Sequence, residues 1–156
     1  MNITEILLGA FIINLGIALG AGLYEARIVL PLWFHKVNNN YQVNVEAMRN
    51  IDTGRKFWGF VTTIPLTLLT IVNLVFACKA AAPLYGWWFS ATLIILLERI
   101  GTFTFFIPTA IKLQKGENLP VAKTSNMIFW WLRINYVRNA LTFAALLIAL
   151  KALLVL

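Results

Sequence analysis

The chain has 156 residues, of which 60% are hydrophobic and 12% charged, and its formal net charge is +7. A soluble domain of this length cannot bury so much apolar side chain, and the single cysteine, Cys78, excludes an internal disulfide and a CxxC redox pair. The length allows one domain, residues 1–156, and its basic residues fall in short loops between apolar runs, which marks membrane topology and not nucleic-acid binding.

Four apolar runs, about residues 6–34, 57–78, 84–108 and 127–154, can each cross roughly 30 Å of hydrocarbon at ~1.5 Å per residue. They predict an all-α, integral membrane four-helix bundle embedded in the lipid bilayer. The first run follows Met1-Asn2-Ile3-Thr4-Glu5, which lacks the basic start of a signal peptide, and it is longer than a signal peptide's apolar core. It therefore reads as a retained helix. Gly16 and Gly20 form a GxxxG pair flanked by Gly9 and Gly22. This predicts close helix packing and offers a candidate homo-oligomer surface at Gly16 and Gly20. Glu25 and Arg27 follow, and Pro31 is predicted to kink the helix beyond them.

Residues His35 to Asn40 read as an asparagine-rich polar turn. Asn44 is a candidate cap for a helix starting at Val45, with Glu46 in its first turn. That helix is predicted to run straight into the second span, carrying Arg49, Asp52, Arg55 and Lys56. Ala80 to Pro83 makes a tight connection, and Lys112 to Ser125 holds a turn signal at Gly116 and Pro120. Pro65 and Pro108 predict ordinary membrane-helix kinks.

Lysine and arginine set the orientation. Lys36, Arg49, Arg55 and Lys56 lie in the first loop and Lys112, Lys115 and Lys123 in the third, against only Lys79 and Lys151 on the opposite side. By the positive-inside rule, the first and third loops are cytoplasmic and both termini lie on the non-cytoplasmic side of the cell membrane. The tryptophans Trp33, Trp58, Trp87, Trp88, Trp130 and Trp131 mark span ends, where headgroup anchoring is expected.

With that topology, Glu25, Arg27, Asp52, Glu98, Arg99, Asn135, Arg138 and Asn139 fall at one depth in the cytoplasmic half. A charge in bilayer hydrocarbon costs roughly 2.5 kcal/mol or more, so such residues are paired, functional or both. On the fourth helix, Trp131, Asn135, Arg138, Asn139 and Thr142 share a face by 3–4 spacing, with Arg133 pointing elsewhere and snorkelling. On the third, Glu98, Thr102, Phe105 and Thr109 share one. Two readings stand side by side: a binding wall with a fixed cation, or polar glue between helices. Glu25 and Glu98 are likewise either bases with burial-raised pKa or permanent counter-ions, Glu25 to Arg138 or Arg99. A metal or haem site has too few ligands, with one histidine, His35, beside Lys36 and arginines around the carboxylates.

Four strings carry a family likeness: Ala21-Gly-Leu-Tyr-Glu-Ala-Arg-Ile-Val-Leu-Pro-Leu-Trp33, Val45-Glu-Ala-Met-Arg-Asn-Ile51, Thr102-Phe-Thr-Phe-Phe-Ile-Pro108 and Trp131-Leu-Arg-Ile-Asn-Tyr-Val-Arg138. In order and spacing the chain resembles the anthrone oxygenase-like family of small four-helix membrane proteins. Pro31, Met48, Pro108, Trp131, Asn135 and Arg138 are the matching positions. The resemblance implies oxidation of a flat, lipophilic aromatic by O₂ without a cofactor. Ile107-Pro108-Thr109-Ala110 departs from the family's Asn-Pro and Pro-Leu-Asn pattern, and Glu25 with Arg27 marks a subgroup, so the resemblance alone does not assign the fungal substrate to this chain. On this hypothesis Glu25 is the candidate base, with Glu98 or His35 as substitutes. Arg138, Asn135 and Asn139 stabilise an oxyanion, Trp131 and Phe105 stack on the ring, and Arg99 and Asp52 complete the binding set. The rival hypothesis is a non-enzymatic binding or accessory protein whose charge layer is structural. Transport is disfavoured, because the outer half offers no polar path.

Overall fold

A computed structural model describes residues 2–116 and 119–156. Four helices, Ile3–Trp33, Gly54–Ala77, Leu84–Lys115 and Val121–Leu154, are long and apolar enough to cross a membrane, as in a multi-pass membrane protein. They form a ring in which each helix packs on its sequence neighbours and the fourth closes on the first. The all-α class holds, with one small addition at the end of the bundle opposite the termini.

That addition is a hairpin where the sequence suggested only a polar turn. Strands β1 (Phe34–Val37) and β2 (Asn40–Val43) pair antiparallel, His35 opposite Gln42. Asn38 and Asn39 both take positive φ, 47° and 65°. A two-residue hairpin turn requires this, and asparagine tolerates it better than most residues. Tyr41 N–H donates to Ser125 Oγ at 2.9 Å, tying the hairpin to the fourth helix.

Asn44 caps the short helix Val45–Ile51, its Oδ1 accepting from the Ala47 N–H at 3.0 Å. The expected continuation into the second span is broken, however. Asp52 is left-handed at φ 36°, so the chain turns before Gly54. Its carboxylate compensates by accepting from Arg55 Nε at 2.7 Å and Gln114 Nε2 at 3.3 Å. Arg49 reaches across to cap the third helix, donating to the carbonyls of Gln114 at 2.6 Å and Lys115 at 2.9 Å.

The prolines do more than kink. Pro31, Pro65 and Pro108 each follow a π-helical stretch: Glu25–Val29, Gly54–Thr63 and Thr102–Phe106. In each case the residue before the proline donates five residues back, Leu30 to Glu25, Ile64 to Gly59 and Ile107 to Thr102. A proline ring crowds the carbonyl four residues back and brings no N–H; widening the turn relieves both problems. Each extra residue rotates the following side chains by about 100°.

Two apolar clusters sandwich a polar layer. Toward the termini, Phe11, Leu15, Leu66, Trp88 and Ile95 pack against the small residues Ala145, Ala149 and Ala152 of the fourth helix. Toward the hairpin, Val29, Trp33, Met48, Phe106, Ile128 and Trp131 form the second cluster. The expected glycine packing occurs at one position only. A Cβ on Gly22 would collide with the Asn139 amide oxygen, so glycine there lets the first and fourth helices close up. Gly16 and Gly20 are exposed and a Cβ on either meets nothing, so the GxxxG pair joins no helices within this chain.

The tryptophans also divide. Trp87 and Trp130 are exposed, as anchors should be, whereas Trp33, Trp88 and Trp131 are buried. Adjacent helical residues point about 100° apart, so in each Trp-Trp pair one faces outward and its neighbour enters the bundle. Trp88 Nε1 donates to the buried Asn73 Oδ1 at 3.0 Å.

Candidate functional site

Glu25 opens the first π turn and is 4% exposed. Its Oε2 accepts from Arg138 Nη2 at 3.0 Å. Its Oε1 accepts from Trp58 Nε1 at 2.8 Å and Thr53 Oγ1 at 3.0 Å. Arg138 lies between two rings, its guanidinium carbon 4.5 Å from the Phe106 centroid and 5.1 Å from that of Trp58. A desolvated cation gains from both ring faces. Trp58 and Phe106 come from the second and third π segments, so the π turns of three helices converge on one guanidinium–carboxylate pair. Such turns often mark functional positions.

The sequence left open which arginine holds Glu25. Arg138 does, and Arg99 belongs to Glu98. Arg99 Nε donates to Glu98 Oε2 at 2.6 Å, with Nη2 at 2.5 Å from the same oxygen, and Thr102 Oγ1 donates to Oε1 at 3.0 Å. Arg27 is exposed and takes no place in the layer. Arg133 is exposed and stacks on Phe129 at 4.5 Å, as expected for a snorkelling side chain.

Beside these pairs lies a cavity of about 640 Å³, a volume suited to a small lipophilic molecule. Among the predicted site residues, Glu25, Asp52, Arg99, Trp131 and Arg138 border it. Glu98, Phe105, Asn135 and Asn139 do not. Glu98 sits behind Arg99, Asn139 abuts Gly22, and Phe105 touches Trp131 at a ring separation of 6.4 Å. Phe106 borders the cavity in its place, 5.2 Å from Trp131 and nearly perpendicular to it. A second cavity of about 480 Å³ shares Glu25, Thr53 and Trp58 with the first.

His35, a substitute base in the sequence reading, is exposed on β1 and borders neither cavity. Among the described residues, no three of His, Cys, Asp and Glu gather into a possible ligand set. Comparison with known proteins adds no identification: no family model, no curated protein and no solved structure matches the chain.

Asp52 is the site's carboxylate outside the spans. Partial burial pushes its pKa up, but hydrogen bonds from Gln114 and from the Arg55 backbone and guanidinium, with that cation's charge, outweigh burial and hold it below the ordinary value. It stays ionised and anchors Gln114 of the third helix to the start of the second.

Sequence reasoning missed Trp33, Thr53, Trp58 and Gln114 at this site. Trp33 and Trp58 carried the composition of boundary anchors, and only the burial of Trp33 and the hydrogen bond from Trp58 to Glu25 reassign them. Thr53 and Gln114 gave no signal, because their roles depend on contacts with helices distant in sequence.

Proposed function

We propose that the chain is a multi-pass protein of the cell membrane that binds a flat, lipophilic molecule in the larger cavity and acts on it as a cofactor-independent, anthrone oxygenase-like enzyme. The observation that carries the reading is a cavity of about 640 Å³ bordered both by aromatic faces, among them Trp33, Trp58, Phe106 and Trp131, and by a buried carboxylate–guanidinium pair, Glu25 and Arg138. In this chemistry Glu25 removes a proton from an activated CH₂. The resulting carbanion is oxidised by O₂ to a carbonyl, with one oxygen atom entering the product and the other leaving as water. Arg138 holds the developing oxyanion, and Trp131 with Phe106 faces the ring. Glu25 exchanges its hydrogen bonds from Thr53 and Trp58 for the substrate proton.

The second reading is a binding or accessory protein with a structural charge layer. It is favoured by the full occupation of both carboxylates, since every oxygen of Glu25 and Glu98 already accepts a hydrogen bond. Anthrone separates the two readings. It is expected to raise the detergent unfolding midpoint of the wild type saturably, and Ala110→Trp, which fills the cavity, abolishes that shift. Oxygen uptake with formation of the quinone supports the enzyme; binding without turnover supports the accessory protein. Full turnover by Glu25→Gln would sink the role of Glu25 as base.

The basic hairpin end is proposed to face the cytoplasm. Cys78, exposed at the other end and the chain's single cysteine, reports on this directly. A membrane-impermeant maleimide is expected to label it in intact cells, whereas Asn38→Cys in a Cys78→Ser background reacts only after permeabilisation. The reverse pattern inverts the topology. The open glycine face at Gly16 and Gly20 supports self-association as the homo-oligomer surface.

A further inference from the structure

Three buried N–H donors in residues that border the cavity have no hydrogen-bond partner among the described residues: Arg99 Nη1, Trp33 Nε1 and Trp131 Nε1. The residues are 6%, 3% and 4% exposed and come from the third, first and fourth helices. Buried donors are normally paired, and leaving one unpaired costs free energy. Arg99 shows the asymmetry most clearly, because Nε and Nη2 serve Glu98 while Nη1 serves nothing.

The cavity's own acceptors do not answer this demand. Glu25 is taken by Arg138, Trp58 and Thr53, and Asp52 by Arg55 and Gln114. Charge points the same way. Arg49, Arg55, Arg99, Lys115 and Arg138 border the cavity, against the carboxylates of Glu25 and Asp52. One side of the rim is apolar. The second and third helices pack together mainly toward the termini, with little contact between their hairpin-end halves. There, Ile107 and Ile111 border the cavity while 37% and 47% exposed on the third helix.

We infer that the cavity's occupant is a lipophilic anion, a carboxylate or phenolate on a flat apolar body, which slides in from the bilayer between the second and third helices and places its oxygen atoms against Arg99, Trp33 and Trp131. The inference rests on the reading that the cavity binds a lipophilic molecule, and it adds the charge of the head group. The anion pairs the three donors and offsets the cationic excess. Its body follows Ile107 and Ile111 inward to the aromatic wall.

Two pairs of probes test this on the full chain in detergent, with affinity read from the concentration dependence of the unfolding midpoint. One pair is 1-pyrenebutyrate and 1-pyrenebutanol. The other is 1-hydroxypyrene, at a pH where it is ionised, and 1-methoxypyrene. An anion preference of about tenfold in either pair is expected, the size of one charge-assisted hydrogen bond, and the pair that shows it identifies the head group. Arg99→Lys keeps a counter-ion for Glu98 but lacks Nη1, and Trp33→Phe/Trp131→Phe keeps the rings but lacks both N–H groups. Both variants are expected to bring the ratio toward one. Equal binding of charged and neutral probes overturns the inference while the lipophilic cavity stands, as does a preference that survives in both variants. Binding of no probe overturns the inference and the underlying reading together.

Discussion

Arg138→Ala is expected to destabilise the protein by about 3–5 kcal/mol, the cost typical of stranding one partner of a buried ion pair. Glu25 would keep its bonds from Trp58 and Thr53 but lose the cation paired with it, at 4% exposure. The rings of Trp58 and Phe106 would also lose the guanidinium between them. Arg138→Lys should fall between wild type and alanine, because an ammonium restores the charge without the planar fork. Glu25→Gln/Arg138→Gln should recover much of the loss by removing both charges. Unfolding free energies in mixed detergent micelles measure all three. An Arg138→Ala protein within about 0.5 kcal/mol of wild type, the range of ordinary surface changes, would show that Glu25 reaches water through the cavity.

The second large effect is expected at Glu98. Glu98→Ala leaves the Arg99 guanidinium 6% exposed and without a partner on any nitrogen, again at about 3–5 kcal/mol. Replacing the pair, Glu98→Leu/Arg99→Met, should cost far less or even stabilise, since apolar residues of similar volume bring no desolvation penalty. The same double variant removes Arg99 Nη1 from the cavity wall, so stability and anion binding should separate: the fold persists and the anion preference falls. A double variant as unstable as the single one would mean that the adjacent pair supports the helix packing itself.

The two pairs illustrate what could be read in advance and what could not. That Glu25, Glu98 and Arg99 are buried, and the Arg138 side chain largely so, followed from charge within apolar runs. Which carboxylate meets which arginine did not, because Glu25 and Arg138 lie 113 residues apart and their contact depends on the rotation of two helices. The prolines were legible as interruptions, but not the wide turns that precede them. Those turns shift the register, so Phe106 borders the cavity where uninterrupted 3.6-residue spacing had favoured Phe105. Gly16 and Gly20 carried a packing motif and proved to face open space, while Gly22, outside the pair, makes the close approach.

By itself, the sequence determined the membrane class, the four spans, the capped helix at Val45 and the layer of expensive polar residues, since each follows from hydropathy and spacing along one helix. Only the tertiary structure decided the hairpin, the break at Asp52, the partner of every charge and the cavity with its unpaired donors. Spacing describes one helix at a time, whereas pairing needs the relative rotation and depth of several, and here three π turns reset both within the site.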